Sequence, residues 1–233
     1  MRTITYAIGD VHGEAVRLRQ LHASIFERHA FEFGDAIAKI VHLGDYVDRG
    51  PDSADVIEAV MELESRSGLQ TVALKGNHEA MLIEGLTAAH EGAYDNWLVN
   101  GGDATVQSYK DRGHDTVLKT HLSWLKARPN IHVDAAQKLI FVHAGIQPQL
   151  YPDDRSETYL WTRSRRFFEV QNWKNEALIG WTVIHGHTPT DDYYPEIVEA
   201  QATRINLDTG AVFGGRLTAA VIAPGEKVRF IYS

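Results

Sequence analysis

The chain has no cysteine in 233 residues. That excludes disulfides, thiolate metal ligands and cysteine nucleophiles. It also has no apolar run near the roughly 18 residues needed to span a bilayer. Its first residues, "MRTITYAIGDVHG", reach a charged group too soon for a secretory leader, so the expected compartment is the cytoplasm. An excess of basic residues is absent as well. Lys plus Arg is 23 against 31 for Asp plus Glu, a formal net charge of −8. No global field attracts nucleic acid or an anionic membrane, and neither is expected as a partner. Linkers, repeats and low-complexity stretches are missing too, so residues 1–233 read as one domain. What is plentiful is histidine, with 12 residues. The hydrophobic fraction of 44% is ordinary for a chain that buries a core.

Three times the pattern runs strand, glycine, helix. "TITYAIG" (3–9) precedes a helix expected near Glu14 to Phe26, with Leu18, Leu21 and Ile25 on one face. "AKIVHLG" (38–44) precedes a helix with Ser53 as its expected N-cap and Val56, Val60 and Leu63 as its stripe. "LQTVALKG" (69–76) precedes a helix through about Ala89. Such units argue for a parallel sheet. The stretch 92–130 reads as mostly helical. Beyond it come the β-rich runs "NIHVDAA", "KLIFVHAG", "GWTVIHGH", "ATRINLD", "LTAAVIA" and "KVRFIYS". The expected fold class is therefore α/β, a layered sandwich with two sheets flanked by helices.

Ligands of α/β sheets bind beyond the carboxyl ends of the strands. Those ends carry "GDVHG" with Asp10 and His12, "GDYVDRG" with Asp45, Asp48 and Arg49, "GNHE" with Asn77 and His78, "VHAG" with His143, and "HGHTP" with His185 and His187. Taken alone, each acid after a glycine is an ordinary turn residue, and each histidine an ordinary core residue. Together they offer more donors than one metal ion needs. Mixed oxygen and imidazole donors suit Mn, Fe, Zn or Co better than Ca or Mg. Two ions need a bridging ligand, and Asp45, expected on a central strand, is the natural one. Asp10 and His12 are assigned to one ion, and Asn77, His143 and His187 to the other. Two divalent ions bring +4, and two carboxylates and a hydroxide leave the site positive, fit for a phosphate dianion. His78 then faces substrate as the proton donor to a leaving oxygen, with Asp48 as its orienter. Arg49 is suited to fork onto phosphate oxygens, and Arg163, in "LWTRSRRF", is the second candidate.

The ordered set "GDVHG…GDYVDRG…GNHE…VHAG…HGHTP" resembles the phosphoprotein-phosphatase branch of the calcineurin-like metallophosphoesterases. "WLVNGGDAT", "LWTRSRR" and "DTGAVFGG" are similar to the small bacterial and bacteriophage Ser/Thr protein phosphatases. The resemblance implies an α/β sandwich around a dinuclear centre, often of Mn²⁺, with Fe and Zn also possible. It implies direct attack of a metal-bridging hydroxide on phosphorus, without a phosphoenzyme. The implied ligands are Asp10, His12, Asp45, Asn77, His143 and His187. The implied acid is His78 with Asp48, and the implied phosphate-binding residues are Arg49 and Arg163. The expected reaction is hydrolysis of phosphoserine and phosphothreonine in proteins, with a phosphorylated small molecule as the other possible partner. No regulatory subunit is implied. The alternative is a symmetrical dinucleoside tetraphosphatase, whose pattern "WLKARPNIHVDAAQKLIFVHAGIQPQ" is similar to. His22, His29, His90, His114, His121 and His132 stand outside the set and are expected in solvent. His42 is expected at the core or half-buried, and Trp97 near the site.

Overall fold

The computed structural model describes residues 2–233, so Met1 lies outside the described residues. Alternation along the strands explains the layering. In β1 (Thr3–Ile8), Ile4, Tyr6 and Ile8 enter one core, and Ala7 between them enters another. β9 (Thr218–Ile222) divides in the same way: Ala219 and Val221 face the first core, Ala220 and Ile222 the second. A strand whose two faces are both apolar must be covered on both sides. The first sheet is ordered β10-β9-β1-β2-β3, with β2 at Ile37–His42, β3 at Gln70–Ala73 and β10 at Arg229–Tyr232. β1, β2 and β3 are parallel, while β9 runs antiparallel to β1.

The second sheet is ordered β4-β5-β6-β8-β7, from Ile131–Asp134, Leu139–Val142, Thr182–His185, Thr203–Asn206 and Glu196–Glu199. Its inner three strands are parallel, with antiparallel edges. Leu139 and Phe141 of β5 meet Val41, Leu43 and Leu74 of the first sheet in the core between the sheets, and Ile140 and Val142 point outward. The outer face of the first sheet is covered by α1 (Ala15–Glu32), α2 (Ser53–Glu64), α3 (Asn77–Thr87), α4 (Ala93–Trp97), α5 (Asp103–Asp111) and α6 (Lys119–Lys126). The second is covered by α7 (Ser156–Trp161), α8 (Arg165–Phe168) and the Val170–Leu178 segment. The result is the expected two-sheet α/β sandwich.

Some local expectations differ. α1 runs six residues beyond Phe26, because Ile25 and His29 continue its buried stripe. Ser53 is the first helical residue rather than the cap; its hydroxyl accepts the Asp48 N–H instead. β1, not β2, is the middle strand, so Asp45 follows a strand beside the central one. β7, α7 and α8 are elements that the apolar pattern does not predict. Among the described residues, no helix is long and apolar enough to cross a membrane.

Candidate active site

The parallel strands of both sheets send their carboxyl ends to the same side, and the site is built from the turns that leave them. Asp10 and His12 follow β1, while Asp45, Asp48 and Arg49 follow β2. Asn77 and His78 open α3, His143 follows β5 and His187 follows β6. The acids, the amide and the histidines among these are all buried. Eight non-glycine residues have positive φ among those described, and five of them are His12, Asp45, Asp48, Arg49 and His187. A left-handed backbone costs a residue with a side chain roughly 1–3 kcal/mol. Its concentration here means that the surrounding fold forces these side chains inward.

Two buried triads meet at one carboxylate. His12, Asp45 and His78 form one cluster of close donor atoms, and Asp45, His143 and His187 form the other. Asp45 Oδ2 lies 3.4 Å from both His12 Nε2 and His143 Nε2. Asn77 Oδ1 lies 2.8 Å from His143 Nε2 and 2.8 Å from His187 Nδ1. Asp10 receives the His187 backbone N–H at 3.0 Å. Glycine makes the approach possible: a Cβ on Gly186 would stand 1.9 Å from Asp10 Oδ1, and one on Gly76 2.1 Å from Asp45 Oδ1.

The protonation pattern fits metal ions. His143 donates Nδ1–H to the Leu43 carbonyl at 3.0 Å, and His12 donates Nδ1–H to the Val47 carbonyl at 2.9 Å. Burial lowers the proton affinity of both, and His12 falls to about 3, so neither ring has a second proton. Their Nε2 lone pairs therefore face the centre. There His143 Nε2 meets the Asn77 and Asp45 oxygens, acceptor against acceptor. A cation at that point satisfies all three lone pairs at once. Burial also lowers His187. Burial pushes the Asp45 carboxyl up, but the imidazolium charge around it, that of His143 first, outweighs burial once those rings take up protons at low pH, and holds Asp45 below the ordinary carboxylate range.

His78 differs from these rings. Burial pushes its affinity down, yet the charges of Asp45 and Asp48 leave it above the usual histidine value. Its Nδ1 is 2.7 Å from Asp48 Oδ2. Asp48 is fixed by Trp97 Nε1–H at 2.9 Å and the Thr105 hydroxyl at 2.7 Å. A ring that keeps its proton is a donor, which sets His78 apart from the ligand-type histidines despite its reach to Asp45. The two arginines contact different histidines. Arg49 Nη1 donates to His12 Nε2 at 2.7 Å, and Arg163 Nε donates to His187 Nε2 at 3.1 Å.

Several residues of the site lie outside the predicted set. Asp208, just past β8, is buried and adjoins Asp10. Burial pushes both carboxyls up; the Asp208 charge and then that of Asp45 add to the rise of Asp10, and the Asp45 charge adds to that of Asp208, which reaches about 6 despite the Gly210 N–H bond. Its signal was its position at a strand end, the rule that picked out the other acids. Glu79 accepts the N–H groups of Gly76, Asp45 and Tyr46 at 2.7, 2.8 and 2.8 Å, and so fixes the turn that aims Asp45. His185, two residues before His187, points away and accepts from Arg204 at 2.9 Å.

Residues 5–215 match the calcineurin-like phosphoesterase family. The chain belongs to that family. It is thereby a metal-dependent phosphoric ester hydrolase, and the family uses a dinuclear divalent metal centre. The chain is 28% identical to a Bacillus cereus bis(5'-nucleosyl)-tetraphosphatase PrpE [asymmetrical], over 91% of this chain and 87% of that protein. The fold is shared with a cold-active protein-tyrosine phosphatase of a Shewanella species, at a TM-score of 0.61, 16% identity, and coverage of 99% and 82%. It is shared as well with a protein serine/threonine phosphatase of Saccharomyces cerevisiae, at a TM-score of 0.61, 14% identity, and coverage of 99% and 79%.

Most histidines expected in solvent are not there. His22, His29 and His121 are buried, and His114 and His132 are half-buried; His90 is exposed. Each buried ring has a partner: His22 Nε2 and His42 Nε2 are 2.9 Å apart, Tyr6 bonds His29 at 3.0 Å, and Tyr109 bonds His121 at 2.7 Å. Helix periodicity places His22 and His29 on the stripe of Leu18 and Ile25, a signal that histidine's polarity hides.

Proposed function

We propose that this chain hydrolyses nucleoside-capped polyphosphates, a dinucleoside tetraphosphate first among them. Asp10 and His12 would hold one divalent ion and Asn77, His143 and His187 the other, with the Asp45 carboxylate shared between the two. Mn²⁺ is the proposed metal, in keeping with a mixed set of three oxygen-bearing side chains and three imidazoles. When bound, the ions supply positive charge against the phosphate and a nucleophile at neutral pH. Arg49 and Arg163 grip phosphoryl oxygens through guanidinium forks. The carrying observation is that they contact different histidines of the centre: Arg49 stands against His12 and Arg163 against His187. Cations at two places suit a chain of phosphates running both ways from the scissile phosphorus. The similarity to proteins named as asymmetrical tetraphosphatases supports the same substrate. As water adds to phosphorus, the bond to the leaving oxygen breaks, and the His78 proton passes to that oxygen while Asp48 holds the ring.

A second reading has its own support. A nucleotide leaves readily through its phosphate oxygen as an anion, whereas a serine or threonine alkoxide needs a proton. The buried His78–Asp48 pair, 2.7 Å apart, is what such a leaving group requires and favours phosphoserine or phosphothreonine. One experiment separates the two. Mn²⁺-loaded protein is given diadenosine tetraphosphate and a phosphothreonine peptide at matched concentrations. Release of ATP and AMP with the larger kcat/KM supports the polyphosphate reading and unequal cleavage. Two ADP would support symmetrical cleavage, and a preference for the peptide would overturn the polyphosphate reading.

A further inference from the structure

Two large aromatic rings stand half in solvent against this centre. Phe213 is 52% exposed, with the Arg49 guanidinium 5.5 Å from its ring centroid. Trp161 is 46% exposed, its ring 6.4 Å from that of His187 and nearly perpendicular to it. The chain holds these rings out deliberately. Phe213 ends a tight turn that Arg17 ties down, donating to the Ala211 and Gly215 carbonyls at 3.2 and 2.6 Å. On the near side of the same turn Tyr193 packs so closely on Gly210 that a Cβ there would lie 2.5 Å from its ring. Trp161 is the last residue of α7, two before Arg163. Each ring thus sits beside one phosphate-gripping arginine or the histidine that arginine bonds. Single exposed apolar side chains are common on proteins and need no explanation alone. A fixed aromatic ring at each of two places, one against the Arg49 guanidinium and one against the His187 that Arg163 bonds, is a different matter. In a nucleotide, phosphate and base are separated by one ribose, and a flat ring beside a phosphate site offers the base a stacking partner.

We propose that Phe213 and Trp161 are the base platforms of this enzyme, each stacking one nucleobase of the substrate, Phe213 at the Arg49 end and Trp161 at the Arg163 end. This rests on the polyphosphate reading of the substrate. Base–aromatic stacking is worth enough that removing one ring weakens binding by roughly tenfold. It tolerates any base, because every base has a π-face, so the platforms select nucleosides over other caps without choosing among them.

The test compares two inhibitors of p-nitrophenyl phosphate hydrolysis that differ only in the base, AMP and ribose 5-phosphate. The ratio of their inhibition constants is taken within each protein, so a general loss of activity in a variant cancels. Wild-type protein is expected to bind AMP about tenfold or more tightly than ribose 5-phosphate. F213L and W161L should each shrink that ratio, and the double variant should bring it below about threefold. F213W and W161F, which keep a flat ring, should restore it. A wild-type ratio near one overturns the proposal, as does a ratio that survives in the double variant. Diadenosine tetraphosphate is run alongside. If it is not hydrolysed while the AMP preference is present and lost in the double variant, the substrate reading fails and the platforms stand.

Discussion

His78 Nδ1 and Asp48 Oδ2 lie 2.7 Å apart, both side chains buried, with Trp97 and Thr105 fixing the carboxylate from its other sides. Asp48→Asn removes the charge that keeps the ring protonated and in register. On a phosphothreonine peptide, kcat is expected to fall by about 10²–10⁴, the range of acid catalysis, with metal content unchanged. On p-nitrophenyl phosphate, whose leaving group needs little protonation, the loss should be far smaller. Equal losses on both substrates would contradict the role.

The same pair sets a pH dependence. His78 is held above the usual histidine value, so its acid form extends to higher pH and activity falls as pH rises through that raised value. Bound cations offset the Asp45 part of the effect and leave the Asp48 part. In Asp48→Asn the alkaline limb of kcat should therefore move to lower pH. A limb that stays in place would assign it to another group.

Gly186→Ala tests the cradle around Asp10. The new Cβ would stand 1.9 Å from Asp10 Oδ1, so Asp10 must move. Bound metal should drop from two ions per chain to one, read by elemental analysis. Two tightly bound ions in the variant would show that Asp10 is not a ligand.

Glu79 accepts four backbone N–H groups, those of Asp45, Tyr46, Val47 and Gly76. Glu79→Gln substitutes a donor for one of those acceptor oxygens. Burial, then the Asp45 charge, pushes the Glu79 carboxyl up to about 8, so the loss expected in urea unfolding, about 1–3 kcal/mol, comes from buried backbone N–H groups left without an acceptor. A midpoint equal to wild type would contradict that account.

These residues also mark what sequence reading reached. Strand ends with glycine exposed Asp10, Asp45, Asn77, His143 and His187 because chemistry and position coincide there. Asp208 occupied the same kind of end yet stood at no predicted role, since nothing local ties it to Asp10 across the two sheets. Glu79, the last residue of "GNHE", had no predicted role, since its partners in the Asp45 turn are 32 to 34 residues away. The buried histidines were missed for another reason. Polarity argues for solvent, but a ring with a tyrosine or a second imidazole as partner is at home in a core, as His29 with Tyr6 demonstrates.

His22 gives a stability prediction. Burial lowers its proton affinity to about 4, against about 6.5 in the unfolded chain. Between those values the unfolded state binds the extra proton. Stability is thus unaffected above pH ~6.5, declines as pH falls toward ~4, and levels off below. The contribution is at most about 3 kcal/mol. Denaturation midpoints across that window should decline less steeply in His22→Gln; parallel curves would remove His22 from the effect.

The central claim is a two-ion centre built on Asp45. The direct measurement is a titration of chelator-stripped protein with Mn²⁺, following bound metal and p-nitrophenyl phosphate hydrolysis together. Two ions per chain are expected, with activity rising only as the second binds, and Asp45→Asn should lose both that ion and the activity. Full activity at one ion per chain would contradict the claim.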